Sequence, residues 1–579
     1  MKLFGTAEQF DLQRVPFSRA GAFLNVYQEY TDGALYLNMC RSVQVINERP
    51  ALVKLTPVIG GKELVYTYSC DEAKLTLTAP EGTAEFTYEN SQTLRIRTNG
   101  IGLRFEWTPQ ENESVLLRSD SSIEAAFNFI GKLLFRGLTG QAVLTISEVN
   151  AVELLPDSDG TAELAIHEYY SNLATPELYK GFDVCVREMS AEFAAFSKRY
   201  PAVAPAYAEM AERAKWVVWH SQLGPRGALT SKVVYMQKIW FDRAFGWHHG
   251  FHAMAMRNDA KAAFTTLLAM FDYQNEYGIF PDNLSDRHQE TWISSKPPIF
   301  GWSACYILDN FDLSGLTTAD YRNIYEKLAG YTRYWYTHHD HAKLGVPQYY
   351  HIDESGYDES TLFDKGLPLV SPDLLAYATC LCEACAKLAD KLSRRDDFGY
   401  WTSLAKHTLE YLVNELWDGE QFLAYAPLVG EKHKCGSVAQ LQAVMLGHRL
   451  PSSVVKTLAK RLTDPDEFFS AYGVTGENLK SPDVRMLSFS RGPVMAPAQA
   501  LICYGLYDGG EKDAAKLIAA RYLNALNKEG LALAVNPYRF EPRDNSPVPE
   551  FKGGGSVTFP FSAWPASVYL MLAELLTAG

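Results

Sequence analysis

Between about residues 160 and 185 the hydrophobic period of the 579-residue chain changes from two to about 3.6, and this change restricts the fold more than any other feature. Between residue 30 and about 150 lie ALYLNM, SVQVI, ALVKLTPV, ELVYTYS, KLTLTA, AEFTYE, TLRIRT, GLRFEW and QAVLTISEV. These segments are short, β-branched or aromatic, and GG, EG and NG turn signals separate several of them. Many short strands at near-regular spacing predict an all-β sandwich. Beyond about 185, apolar residues recur at helical spacing in roughly a dozen segments, among them YRNIYEKLAGYTRYWYTHH, DLLAYATCLCEACAKLADKL and SAWPASVYLMLAELL. That many helices predict a ring of helical hairpins whose connecting loops build a site on one face. No sequence repeat of solenoid length stands out. The expected organisation is an antiparallel β-sandwich over 1–165, a linker over 166–200 and a helical domain over 201–579.

With 54 Lys and Arg against 68 Asp and Glu, the formal net charge is −14, and such a surface repels phosphate backbones and anionic lipid. Nucleic acid and membrane partners are therefore not expected. The first twenty residues contain no apolar core of signal-peptide length, and no stretch of about 18 uncharged apolar residues follows, so the expected location is the cytoplasm. Nine cysteines spread over the chain do not resemble a disulfide framework. Cys380, Cys382 and Cys385 read as small buried hydrophobes, since no second Cys/His pair lies at zinc-finger distance. Neither metal nor cofactor is expected.

Two features point towards sugar chemistry. Ten of the eleven Trp lie beyond residue 200, several near expected loops, and flat aromatic faces suit the apolar faces of sugar rings, although any single Trp is more often core. The segment HIDESGYDES, 351–360, crowds Asp353, Glu354, Asp358 and Glu359 around a glycine. Carboxylates facing one cleft raise one another's pKa, which is what a general acid needs near neutral pH. Taken alone, such a loop is more often a solvated acidic turn or a cap.

Its neighbours narrow the choice. WFDRAFGWHHGFHAMAM (240–256), NEYGIFPDNLSD with WISSKPPIFGWSACYIL (275–308), VPQYYHIDESGYDES, SAYGVTGENLKSPDVRMLSFSRGPVMAP (470–497) and FSAWPASVYLMLAELL (561–576) follow one another in order. Together these blocks resemble glycoside hydrolase family 63, the relatives of processing α-glucosidase I and of mannosylglycerate and glucosylglycerate hydrolases. The resemblance implies an (α/α)6 barrel behind the β-sandwich and inverting hydrolysis of a glycosidic bond. It places the acid on Asp358, the Asp of the Glu-Ser-Gly-x-Asp loop.

An inverting enzyme needs a second carboxyl, roughly 6.5–9.5 Å away, to activate water. The family's register for that base falls on Leu533, a departure that leaves Glu541 and Glu550 of the same long loop, and Glu477 of another, as candidates. A second departure is Trp247-His248 where the family has Trp-Asp. An imidazole there can donate, accept or carry charge, so it would select a different hydroxyl pattern or an anionic substituent. His248 and His252 share a helical face at metal-ligand spacing, but a hydrogen-bonded histidine is the expected role for His252. By the same resemblance Trp240, Phe241, Arg243 and Trp247 line the pocket, Lys296 and Trp302 flank it, and Arg491 braces the acidic loops or bonds the sugar. Glu354 and Trp564 complete the expected substrate-binding set. The function expected is exo-hydrolysis of a terminal α-linked gluco- or manno-configured sugar from a small saccharide or glycoside. A sugar-binding protein lacking the base, or an epimerase or lyase on the same barrel, is the alternative.

Overall fold

The computed structural model describes residues 12–577, apart from 14, 30, 42–50, 129, 174–175, 240, 288–291, 486–487, 489, 532–533 and 536–561. Leu533, Glu541, Glu550 and Trp240 lie outside the described residues. The chain forms two compact units, one of Met1–Lys198, Trp219–Gly227 and Gln237–Asp242, the other of Arg199–Val218, Ala228–Met236 and Arg243–Gly579.

The first unit contains two antiparallel sheets. One runs in the order Leu24–Gln28, Leu35–Met39, Val53–Ile59, Gly102–Trp107, Asn150–Leu155, Gln141–Thr145. The other runs Ser114–Leu117, Ile123–Phe127, Gly131–Thr139, Thr161–Tyr169, Thr93–Asn99, Gly82–Asn90, Leu75–Ala79, Thr67–Cys70. Period-two alternation explains the pairing: Leu103, Phe105 and Trp107 are buried on one face, while Arg104 on the other meets Glu153 of the adjoining strand at 2.5 Å. The inner faces meet through Phe105 and Phe135, 5.4 Å between centroids, and through Trp107 and Phe127, 5.9 Å.

The unit extends beyond 165. Strand Thr161–Tyr169 crosses that position, and its later residues are buried on both faces, which hides the alternation that marks a half-exposed strand. Helix α1 (Phe182–Ser197) packs on the strands Gly82–Asn90 and Thr93–Asn99, with Arg97 lying 4.4 Å over the Phe182 ring. The stretch expected to be a linker is thus largely structural.

Glu168 is fully buried and pairs with both Arg41 and Arg226, and the Arg41 guanidinium lies 3.8 Å over the Tyr170 ring. Removing one partner of a buried ion group leaves charge in a medium that cannot solvate it, at a cost of about 3–5 kcal/mol. Glu168→Leu is accordingly expected to destabilise the first unit by about that amount. Urea unfolding followed by near-ultraviolet circular dichroism measures it, and an unshifted midpoint contradicts it.

The second unit is helical: α2 (Pro205–His220, whose last residues fall in the first unit), α3 (Gly246–Ala255), α4 (Ala260–Leu267), α5 (Phe300–Asn310), α6 (Thr318–His338), α7 (Pro372–Lys391), α8 (Arg395–Glu415), α9 (Ser452–Leu462), α10 (Ala496–Asp508), α11 (Lys512–Glu529) and α12 (Ala563–Thr577). A tight helical segment, Gln442–Arg449, joins them. α3 packs on α5, α5 on α7, α7 on the tight segment, that segment on α10, α10 on α12, and α12 back on α3. α4, α6, α8, α9 and α11 lie against members of this circuit. Burial follows the same division: α3 is buried all round, whereas α6, α8 and α9 bury one face. Helix starts follow local chemistry. Thr317 and Asp320 form a reciprocal cap on α6, and Pro372 opens α7. Close approach between circuit helices is set by glycine: a Cβ on Gly301 of α5 would stand 2.2 Å from the Leu381 backbone nitrogen of α7. Among the described residues, no helix is long and apolar enough to cross a membrane.

Candidate active site

The acidic loop is built by hydrogen bonds at almost every residue. Tyr349 pairs with Leu369 through the backbone, and Ile352–Ser355 makes one tight helical turn. Glu354 closes that turn: its carboxylate accepts from the backbone nitrogens of Tyr350 at 2.7 Å and His351 at 3.1 Å, and faces His339 Nε2 at 2.9 Å. It is only 2 % exposed. Glu354 therefore braces the loop from within, and its expected place among sugar-binding groups gives way to that role because its oxygens are taken up by the chain itself.

Gly356 follows with φ +69°, a left-handed conformation that favours glycine, and a Cβ there would meet the Trp247 ring at 2.6 Å. Tyr357 then donates its hydroxyl to Gln442, Ser490 Oγ accepts from the Glu359 backbone nitrogen at 3.1 Å, and Arg491 donates Nε to the Glu359 carbonyl. Arg491 also reaches Asp364 at 3.3 Å. Ser360 donates to Ser437 at 2.7 Å.

Asp358 is held between these anchors. Lys296 Nζ lies 3.3 Å from its carboxylate, and the Asp358 side chain keeps 34 % of its surface open although protein surrounds it. It is recessed and still reachable. Burial raises its pKa and Asp353 and Glu359 add to the rise, while Lys296 opposes them; the net direction is upward. Lys296 itself is 12 % exposed. Burial works against its charge, but Asp282, Asp358 and Asp353 outweigh it and hold the ammonium pKa up.

Sequence reasoning does not single out Asp282. It lies in FPDNLSD, one of the blocks that carry the resemblance, where two Asp and one Asn are indistinguishable without the fold. A short strand pair sets it in place: Ala244 opposes Leu284, Phe245 opposes Asn283, and Gly246 donates its backbone nitrogen to the Asp282 carbonyl at 3.1 Å. The residue is 6 % exposed, one carboxyl oxygen accepts from Asn283 at 3.2 Å, and the other has no hydrogen-bond partner among the described residues. Burial pushes its pKa up to about 6, with Asp358 and Asp353 raising it and Lys296 and Asn283 lowering it.

An aromatic wall stands on α3 and α12. His248 stacks on Trp564 at 4.2 Å with an 18° interplanar angle, and Trp247 meets Trp564 at 4.3 Å. Trp302 packs against Phe251 at 6.4 Å and Tyr504 at 5.9 Å, within the helical core. Burial, then His252, His249 and Lys296, push the His248 pKa well below its ordinary value, so the imidazole is neutral near pH 7. His252 bonds Ser567 Oγ at 2.7 Å. Among the described residues no group of three or more His, Cys, Asp or Glu could hold a metal ion.

Glu477 is fully buried, with Thr361 donating at 2.9 Å and Ser481 at 2.9 Å. Burial raises its pKa against those two hydroxyls and Arg491. Those contacts tie Glu477 to the far end of the acid loop. Arg243 is half-buried at the start of the short strand pair, and Phe241 belongs to the first unit.

A recessed carboxylic acid with raised pKa, a lysine in contact and an aromatic wall compose the inventory of a glycoside hydrolase. The family model for the mannosylglycerate hydrolase MGH1-like glycoside hydrolase domain matches residues 242–547, and the chain belongs to that family. Among solved structures it is similar to the GH63 mannosylglycerate hydrolase from Thermus thermophilus in complex with glucose, at 18% identity and TM-score 0.51 over 62% of this chain and 99% of that one. It is also similar to a bacterial glucoamylase complexed with acarbose, at 10% identity and TM-score 0.60 over 99% of this chain and 94% of that one. At these identities the likeness shows the fold, a β-sheet region followed by a helical domain. No curated protein sequence matches the chain.

Proposed function

We propose that the protein is an inverting, exo-acting hydrolase that removes a terminal α-linked gluco- or manno-configured sugar from a small saccharide or glycoside in the cytoplasm. The observation that carries this reading is Asp358: recessed, pKa raised, 3.3 Å from Lys296, on a loop packed against Trp247. A carboxyl whose pKa is raised holds its proton more readily and can give it to the bridging oxygen of the scissile bond. Trp247, His248 and Trp564 are buried and back the acid loop, and the neutral His248, whose Nδ1 has no hydrogen-bond partner among the described residues, offers a donor or acceptor for a hydroxyl. The closed circuit of helix contacts from α3 to α12 supports an (α/α)6 barrel behind this site. Glu541 and Glu550 are the candidates for activating water, with Glu477 a third.

The test is a screen of the purified protein against phenyl and natural α- and β-glycosides in heavy-oxygen water. Hydrolysis inserts solvent oxygen at the anomeric carbon, and inversion releases the anomer opposite to the bond cleaved. Sugar binding without turnover across the panel, or isomerisation without oxygen incorporation, sinks the reading.

A further inference from the structure

Five aromatic rings form an unbroken ladder that starts on the acid loop and runs over the end of α6. Tyr350 stacks on His339 with centroids 4.4 Å apart and an 18° interplanar angle, His339 meets Tyr334 at 5.0 Å, Tyr334 meets His338 at 5.5 Å, and His338 meets Tyr277 at 5.5 Å. We propose that this ladder is a carbohydrate-binding subsite, which holds the uncharged saccharide chain that continues beyond the bond to be cut. The inference rests on the reading of Asp358 as the acid: the terminal sugar then lies at Asp358, and the rest of the substrate lies outside it.

The two ends of the ladder are exposed and yet fixed. Tyr277 is 58 % exposed and Tyr350 36 %. A lone exposed tyrosine needs no explanation, but each of these two is held by contacts of its own. The Asn275 side chain accepts from the backbone nitrogens of Tyr277 at 3.0 Å and Ile279 at 3.2 Å. Gln274 donates to the Gly278 carbonyl at 2.6 Å and to the Lys327 carbonyl of α6 at 3.1 Å. Gly278 has φ +98°, and a Cβ there would overlap the Gly330 carbonyl, so the turn that carries Tyr277 lies directly on the helix that carries Tyr334 and His338. At the other end the Tyr350 backbone nitrogen bonds Glu354 at 2.7 Å, and the ring rests on His339, whose imidazole bonds the same carboxyl group at 2.9 Å. Glu354 thereby joins the ladder to the loop of Asp358. Between Tyr350 and Asp358 that loop also exposes Ile352.

The chemistry of the rings selects the occupant. Each pairs a flat apolar face with a hydroxyl or a ring nitrogen at its edge, which matches a sugar's apolar face and its rim of hydroxyls better than it matches an aliphatic protein surface. Rings already held in place lose little freedom when a ligand stacks on them. Glu276, Asp340 and Asp353 stand next in sequence to Tyr277, His339 and Ile352, and their charge disfavours an anionic chain.

The test is calorimetric titration of the full chain carrying Asp358→Asn with α-linked gluco- and manno-oligosaccharides, from disaccharide to pentasaccharide. In at least one series the affinity is expected to rise with length beyond the disaccharide. Adding Tyr277→Ala or Tyr350→Ala should lower the ratio of pentasaccharide to disaccharide affinity by roughly 2- to 10-fold. Tyr277→Trp, which keeps a flat face, should preserve the ratio, and Tyr277→Leu should lose it. Absence of binding, equal affinity at every length, or a ratio that neither alanine variant changes overturns the proposal. Sedimentation velocity adds a further check: self-association of the parent that Tyr277→Ala disperses would make a second copy of the chain the occupant, and overturns it too. Failure of the acid assignment is separate, since it would show as full turnover of a phenyl glycoside by Asp358→Asn, whatever the dependence of binding on length.

Discussion

Asp358→Asn is expected to lower kcat/KM on a phenyl glycoside by about 10²–10⁴-fold, the contribution of a positioned acid, while leaving the thermal midpoint close to that of the parent. The substitution keeps size and shape, and on the proposed reading it removes the proton that the leaving oxygen needs. The same variant should hydrolyse a glycosyl fluoride at a rate near that of the parent, since fluoride departs with little protonic help. This second arm separates loss of an acid from loss of the pocket. Equal loss on both substrates would assign Asp358 to binding, and retained activity on the phenyl glycoside would remove it from the chemistry altogether.

The second large effect is on stability. Gly301→Ala places a methyl 2.2 Å from the Leu381 backbone nitrogen and 2.3 Å from its Cα, where no side-chain rotation can relieve it. Alanine gains about 1 kcal/mol over glycine in a helix interior, but separating two packed helices costs about 1–3 kcal/mol or more. Since the overlap is with backbone, the upper end applies and a net loss of about 2 kcal/mol is expected. Chemical denaturation of parent and variant measures it. A variant as stable as the parent would mean that α5 and α7 are free to move apart.

The two textures of the chain are legible because each sheet and most helices keep one face buried, so period two and period 3.6 survive in the residues. The stretch from 166 to 198 is not, since Thr161–Tyr169 is covered on both sides and α1 spends its apolar face on the sheets instead of on other helices. The acidic loop can be found from its spacing and from the resemblance, yet which carboxylate points where depends on partners far away in sequence. Glu354 turns inward because His339, fifteen residues earlier, stands behind it. Lys296 meets Asp358 only once the loops are assembled, and the charge state of His248 follows from burial that no local pattern announces. Glu541 and Glu550, offered because the family's register for the base falls on Leu533, lie outside the described residues.

The contact between Gly356 and Trp247 has a consequence for how such a pocket can change over generations. The Trp247 ring and the turn that carries the proposed proton donor share one van der Waals boundary. A larger or tilted aromatic at 247 would displace the donor, and a side chain at 356 would displace the aromatic. On the proposed reading, recognition and chemistry are therefore geared together at this point, and new specificities must be sought at positions that leave that boundary intact.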